Sequence, residues 1–377
     1  MVRPVLLMAL TELAAWCLAG CSPADPAMTH NGSPADPTMT FNGSSEDLKA
    51  TRVVATLGAP ISEGTSSIWC ASFLGAWKAI EQDWGEPPVP SEGEFPVAAS
   101  LNAAPDPRGW LPEGVLYTAA GWLDKGIGQT IADDLKKRFP SKQPPVFAGV
   151  PPDAFVAYAY LEANVPFKLP YFQNSRALSF KDSAGKTTPI KSFGIREEDW
   201  GAYGQLRVQA HILFRTEDED RNTKEFAADL CRTSSPSQVI VACMDPPATL
   251  ADAVAKVERE SVEFAKKDEY YKRLNIDDVL LVPDLHWQVS HRYKEIEGMR
   301  PASGPLKGRP LLVAQQDILV RLSRSGAELK SEAKEIFKPI PSDYVADRPF
   351  LIVMKKRGAA SPYFAMWVAN AELLQPW

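Results

Sequence analysis

The side chains best suited to meet another protein's chemistry stand together near the C-terminus. Lys334, Ile336, Phe337 and Lys338 are types that proteases read beside a scissile bond. The serviceable bonds are Lys334-Glu335, Ile336-Phe337 and Phe337-Lys338. Lys338 and Ile340 each precede a proline, whose ring removes the amide hydrogen and fixes φ, so those bonds are poor substrates.

No catalyst is assembled elsewhere. The four histidines are His30, His211, His286 and His291. His286 and His291 sit five apart on a strand-like stretch, on opposite faces, which argues against a shared metal. No glycine-rich phosphate loop, H-E-x-x-H or G-x-S-x-G occurs. The acidic run 216–222 lacks the spacing of a calcium loop and reads as solvated. Cys231 and Cys243, twelve apart, could close a small disulfide loop in an oxidising compartment or stay buried thiols, as Cys70 could. The chain therefore implies neither metal nor cofactor, and not an enzyme. A net charge of −6 without a basic stripe argues against a nucleic-acid partner. With 377 residues, 45% of them hydrophobic, the chain can bury a large core.

The elements that would display the cleavable bonds are two β-rich runs, ILVRLSRSG (318–326) and DRPFLIVMKK (347–356). The segment joining them is far longer than a hairpin needs, and a loop of that length in a compact domain is usually functional. Its pattern admits two conformations. As a strand, Ala327, Leu329, Ser331 and Ala333 share one face until Glu335 falls on it. As a helix, Ser325 and Glu328 form a capping box, and Leu329, Ala333, Ile336 and Phe337 make an apolar stripe.

At the other end, residues 1–20 read as a signal peptide: Arg3, then an apolar body, then Leu18-Ala19-Gly20 before Cys21. Leu-Ala-Gly-Cys resembles the bacterial lipobox, which implies lipidation of Cys21 and a lipid anchor to the membrane of a bacterial cell envelope, facing the periplasm or the outside. Residues 21–50 read as a disordered Pro/Ser-rich tether. It contains a direct repeat, SPADPAMTHNG (22–32) then SPADPTMTFNG (33–43), identical at nine of eleven positions. Residues 51–377 read as one domain, with the proline-rich stretches 87–106 and 141–153 as loops.

Within that domain the order of motifs resembles the serpin superfamily. Asp347-Arg348-Pro349-Phe350 is similar to the family's D-[RH]-P-F return strand, and Phe364–Trp367 with Asn370 to its closing strand. Upstream, Leu116–Phe139 resembles a sheet strand running into a helix, and Phe155–Leu161 the buried strand. Phe180–Phe193 resembles the hairpin, Val239–Glu258 the strand, turn and helix, and Val279–Gly298 the following strands. The order holds over roughly 260 residues, from Leu116 to the end; Ser66–Ile80 matches the N-terminal helices.

The resemblance implies an α+β serpin-like fold: a large central, mostly antiparallel sheet, further sheets, N-terminal helices and an exposed reactive loop. It assigns Gly326, Ala327 and Glu328 to the loop hinge, the scissile region to Lys334, Ile336, Phe337 and Lys338, and the loop's anchor to Asp347, Arg348, Pro349 and Phe350. Only fifteen residues separate Phe139 from Phe155, so the helix that crosses the front of the main sheet is expected to be missing. The implied function is a monomeric inhibitor of a target protease, of serine or cysteine type, acting by loop cleavage and sheet insertion. The alternative is a non-inhibitory binding or scaffold lipoprotein, favoured by Arg324-Ser325 where the family carries glutamates.

Overall fold

A computed structural model describes residues 39–111, 113–140, 144–147, 150–163, 165–196, 203–219, 222–231, 236–275, 277–324 and 342–377. The architecture is mixed α+β, with several sheets and few helices. Long apolar runs make the strands at its centre. Ser237–Cys243 and Phe350–Lys356 are almost continuously buried, as expected of strands covered on both faces. They are β12 and β17 of a seven-stranded sheet ordered β10 (His211–Glu217), β11 (Thr223–Asp229), β12, β17, β18 (Phe364–Val368), β3 (Ser66–Cys70), β2 (Thr51–Val54). It is antiparallel except between β2 and β3.

A five-stranded sheet runs β1 (Phe41–Ser44), β14 (Leu285–Arg292), β15 (Val313–Leu322), β5 (Phe155–Ala163), β4 (Leu116–Trp122). Here β1–β14 and β15–β5 are parallel, and the other two pairings antiparallel. The mostly antiparallel expectation thus fits the larger sheet and not this one. A four-stranded sheet, β16 (Asp343–Val345), β13 (Val279–Pro283), β9 (Ser192–Ile195), β6 (Phe172–Gln173), and the hairpin of β7 (Leu178–Lys181) with β8 (Thr187–Ile190) complete the strands.

The helices are α1 (Ala71–Trp84), α2 (Pro96–Ala103), α3 (Ile127–Arg138), α4 (Tyr203–Gln209), α5 (Leu250–Phe264) and the single turn α6 (Glu269–Lys272). In α5, Leu250, Ala253, Val254 and Val257 fall on one buried face, and the Thr249 hydroxyl caps the helix by accepting from the Asp252 amide at 3.0 Å. The stretch 87–106, read from its prolines as loop, contains α2, because Pro96 occupies the first turn, where its missing N–H costs nothing. Among the described residues of 140–154 no helix forms. The front of β4 and β5 is covered instead by α3, whose Ile131 and Leu135 pack with Phe139 on Tyr117, Val156, Tyr158 and Tyr160.

The C-terminal part of the stretch expected to be tether, 39–50, is folded instead. Phe41–Ser44 is strand β1, pairing with Trp287–Ser290. The amides of Lys49 and Ala50 donate to the two carboxylate oxygens of Glu372, at 2.6 and 3.0 Å. Residues 39–50 therefore belong to the folded body. No described helix is long and apolar enough to cross a membrane.

One buried carboxylate carries a testable cost. Asp284, between β13 and β14, is 4% exposed. Its Oδ2 accepts from Gln173 at 2.7 Å, while Oδ1 has no hydrogen-bond partner. Burial pushes its pKa up from 3.8 to about 6. A raised acid binds its proton more tightly folded than unfolded, so this group's stabilising contribution is present at low pH and lost as pH rises through about 6. Asp284→Asn should therefore gain stability above pH 7, with a ceiling of about 3 kcal/mol, and show a flatter melting-temperature profile between pH 4 and 7. Thermal scans across that range check it. An identical slope in parent and variant would contradict the assignment.

Candidate functional site: the displayed segment and the sheet seam

Two residues beyond the end of β15, Arg324 is pinned. The backbone carbonyl of Arg324 accepts from the Tyr171 amide at 3.1 Å, and its Nε donates back to the Tyr171 carbonyl at 3.0 Å. The segment that follows, 325–341, lies outside the described residues, and with it Gly326, Ala327, Glu328, Lys334, Ile336, Phe337 and Lys338. Cys21 also lies outside them. The chain is described again from Ser342, and β16 then lies parallel to β13 with Asp343 opposite Val279.

Asp347–Phe350 carries the chain from that edge into the core. The Asp347 carbonyl accepts from the Lys181 amide at 2.7 Å, and Arg348 donates to the Lys224 carbonyl. Burial pushes the Asp347 carboxyl above its ordinary range, against the pull of Arg348. Pro349 sets the last bend, and Phe350, fully buried, stands between Cys243 and Val368 with its ring edge-on to Phe180. The two charged residues fasten the surface side of the turn, and the phenylalanine fills the core side.

Sequence reasoning missed the other half of the site. β15 and β5 are hydrogen-bonded in parallel from Val313↔Val156 to Val320↔Ala163, so the seam between them is closed. Consecutive residues of β15 anchor the strand on its two faces, as strand alternation requires. On the front, Asp317, 1% exposed, accepts from Tyr158 Oη at 2.8 Å, Ser290 Oγ at 2.5 Å and Gln315 Nε2 at 3.2 Å. One carboxylate thus ties β5, β15 and β14 together. On the back, Gln316 Oε1 accepts from Tyr293 Oη at 2.6 Å, and its Nε2 donates to Ser72 Oγ at 2.5 Å, in the first turn of α1. Burial and the neighbouring Asp317 push the Tyr158 hydroxyl far above its ordinary pKa, so it stays a donor. The signal available beforehand was Gln-Gln-Asp inside an otherwise apolar strand (315–317).

The remaining expectations resolve simply. The Cys231–Cys243 bridge is not made, and both side chains are buried thiols. Antiparallel register places Cys243 opposite Phe226, whereas Cys231 lies beyond Asp229, whose partner is Ile240. The two sulfurs thus sit at different ends of the β11–β12 pair, and Cys231 Sγ donates to the Ser237 carbonyl at 3.2 Å. Burial pushes all three thiols up, Cys70 to about 11 and the other two to about 12, which leaves them unreactive. His286 shares a face with Ser290, and His291, with Ser45 Oγ 2.7 Å from its Nδ1, lies on the other. Among the described residues no cluster of three or more metal-ligating side chains forms. Within the acidic run, Asp218 Oδ1 accepts from the Asn222 amide at 2.8 Å.

No protein-family description matches the chain, and no curated protein matches it. Several solved serpin structures are similar to it in fold. Native protease nexin-1, solved with heparin, is 10% identical over 81% of this chain and 92% of its own, with a TM-score of 0.46. Serpin48 of the insect Tenebrio molitor is 11% identical over 82% and 92%, with a TM-score of 0.44. A tumour-suppressing serpin is 10% identical over 81% and 92%, with a TM-score of 0.47.

Proposed function

We propose that this chain is a serpin-superfamily protein that offers residues 325–341 as bait to a serine or cysteine protease. A lipid on Cys21, at the Leu-Ala-Gly-Cys motif, holds it at a bacterial cell envelope. The observation that carries the reading is the direction of the seam. β5 and β15 are parallel neighbours, and the bait continues directly from β15. A strand that doubles back from the end of β15 runs antiparallel to β15, and therefore antiparallel to β5 as well. It could enter the seam and exchange one slanted parallel ladder for two antiparallel ones, which are the more stable per residue. A protease caught at the acyl-enzyme stage on such a strand would be carried with it.

The period-2 pattern of Ala327–Ala333 supplies the face that would enter. Incubation with a panel of serine and cysteine proteases should yield a complex that survives denaturing electrophoresis. Ala327→Arg, which places a charge at the first inserted position, should abolish that complex while leaving cleavage of the bait intact. Equal complex formation by the variant would refute insertion. A second reading, a binding or scaffold protein that keeps the fold without the inhibition, is favoured by the two hydrogen bonds that hold Arg324 to Tyr171. It corresponds to cleavage without complex.

A further inference from the structure

The edge strand that receives the bait is too short to hold itself. β16 has three residues and one neighbour, and a three-pair parallel ladder is a weak attachment. Yet its first contacts are unusually well provided with charge. Asp278, at the start of β13, is fully buried. A buried carboxylate is costly unless hydrogen bonds and cations compensate it. Its Oδ2 accepts from the Asn275 amide at 2.7 Å and its Oδ1 from the Ser342 amide at 2.9 Å.

The same serine is gripped from a different sheet. Arg215, on edge strand β10, donates through Nη1 to Ser342 Oγ and to Tyr344 Oη, both at 2.8 Å. Its side chain is 17% exposed, and Glu217 lies 3.4 Å from the guanidinium. Tyr344 is fully buried, edge-on to Phe226 of β11. The Val279 amide adds a bond to the Ser342 carbonyl at 3.1 Å. Ser342 thus has its amide, hydroxyl and carbonyl all engaged at the first described position after the displayed segment.

We propose that Asp278 and Arg215 are positioning residues that fix the point at which the displayed segment rejoins the body, and so set how much chain a protease is offered. This rests on the bait reading for its meaning, but not for its test. Arg215 bridges the seven-stranded sheet to the four-stranded one at both Ser342 and Tyr344. Loss of either partner lets β16 peel from β13 as far as Tyr344. The accessible stretch then lengthens on its C-terminal side, and leverage on the bait falls.

The test uses the full chain with Asp278→Asn and, separately, Arg215→Met, which keeps the aliphatic stem and leaves the carboxylate in place. Hydrogen exchange is followed in the peptide spanning 342–346, with β17 as internal reference. Cut sites of a broad-specificity protease are mapped in parallel. Exchange in 342–346 should quicken about tenfold or more in each variant while β17 stays unchanged, since a hydrogen bond to a charged group is lost. New cuts should appear within 343–346. Unchanged exchange and unchanged cut sites in Arg215→Met would overturn the proposal, and that variant decides the matter if Asp278→Asn does not fold. If the clamp loosens as described but the parent traps no protease, the bait reading fails and the clamp stands.

Discussion

Asp317→Ala is expected to destabilise the protein by about 3–5 kcal/mol, because three neutral donors lose one buried charged acceptor together. The substitution leaves the Tyr158 and Ser290 hydroxyls and the Gln315 amide without the acceptor they share inside the five-stranded sheet. Each stranded donor costs about 1–3 kcal/mol. The loss falls on the seam, because Tyr158 and Ser290 belong to the strands on either side of β15. Asp317→Asn keeps one acceptor oxygen and should cost less than half as much. Urea unfolding of the three proteins measures both. An alanine variant within about 1 kcal/mol of the parent would show that the backbone ladder alone closes the seam.

Gly194→Ala should be more damaging still, preventing accumulation of soluble protein or lowering stability by about 4 kcal/mol or more. Gly194 lies in β9 at φ +155°, and a Cβ there would stand 1.8 Å from the Leu280 carbonyl oxygen and 2.8 Å from its carbon. Both atoms are backbone of β13, paired with β9 through Leu281↔Gly194, so no side chain can swing aside. The sheet that would be forced apart is the one β16 joins. Gly58→Ala is the control, since a Cβ at that position meets nothing within 4 Å. Soluble yield and melting temperature near the parent's in Gly194→Ala would contradict the close approach of β9 to β13.

Much of this arrangement was legible in the residues, for identifiable reasons. Leu116–Phe139, which by its resemblance implied a strand running into a helix, becomes β4 and α3, with Ile131 and Leu135 on the buried face of the helix. Val239–Glu258 becomes β12 and α5, with Thr249 marking the helix start. The long spacing between β15 and β17 singled out the connection between them without reference to its conformation.

Other features were illegible because their causes are not local. β1 takes three of its four residues from a repeat with no apolar periodicity, and its strand character comes from the backbone of β14. The Tyr158–Asp317 and Ser72–Gln316 hydrogen bonds join residues 159 and 244 positions apart. The partners of Gln-Gln-Asp come only from the fold. The twelve-residue spacing of Cys231 and Cys243 suited a disulfide, but register decides which residues face one another, and it separates them.

The most direct test of the central claim is the melting temperature of the folded body before and after a single protease nick within 325–341. If the freed strand enters between β5 and β15, it gains hydrogen bonds on both edges, and the melting temperature should rise by about 10 °C or more. A nicked protein that melts at or below the parent's temperature would contradict insertion, and the segment would then serve as a binding surface instead.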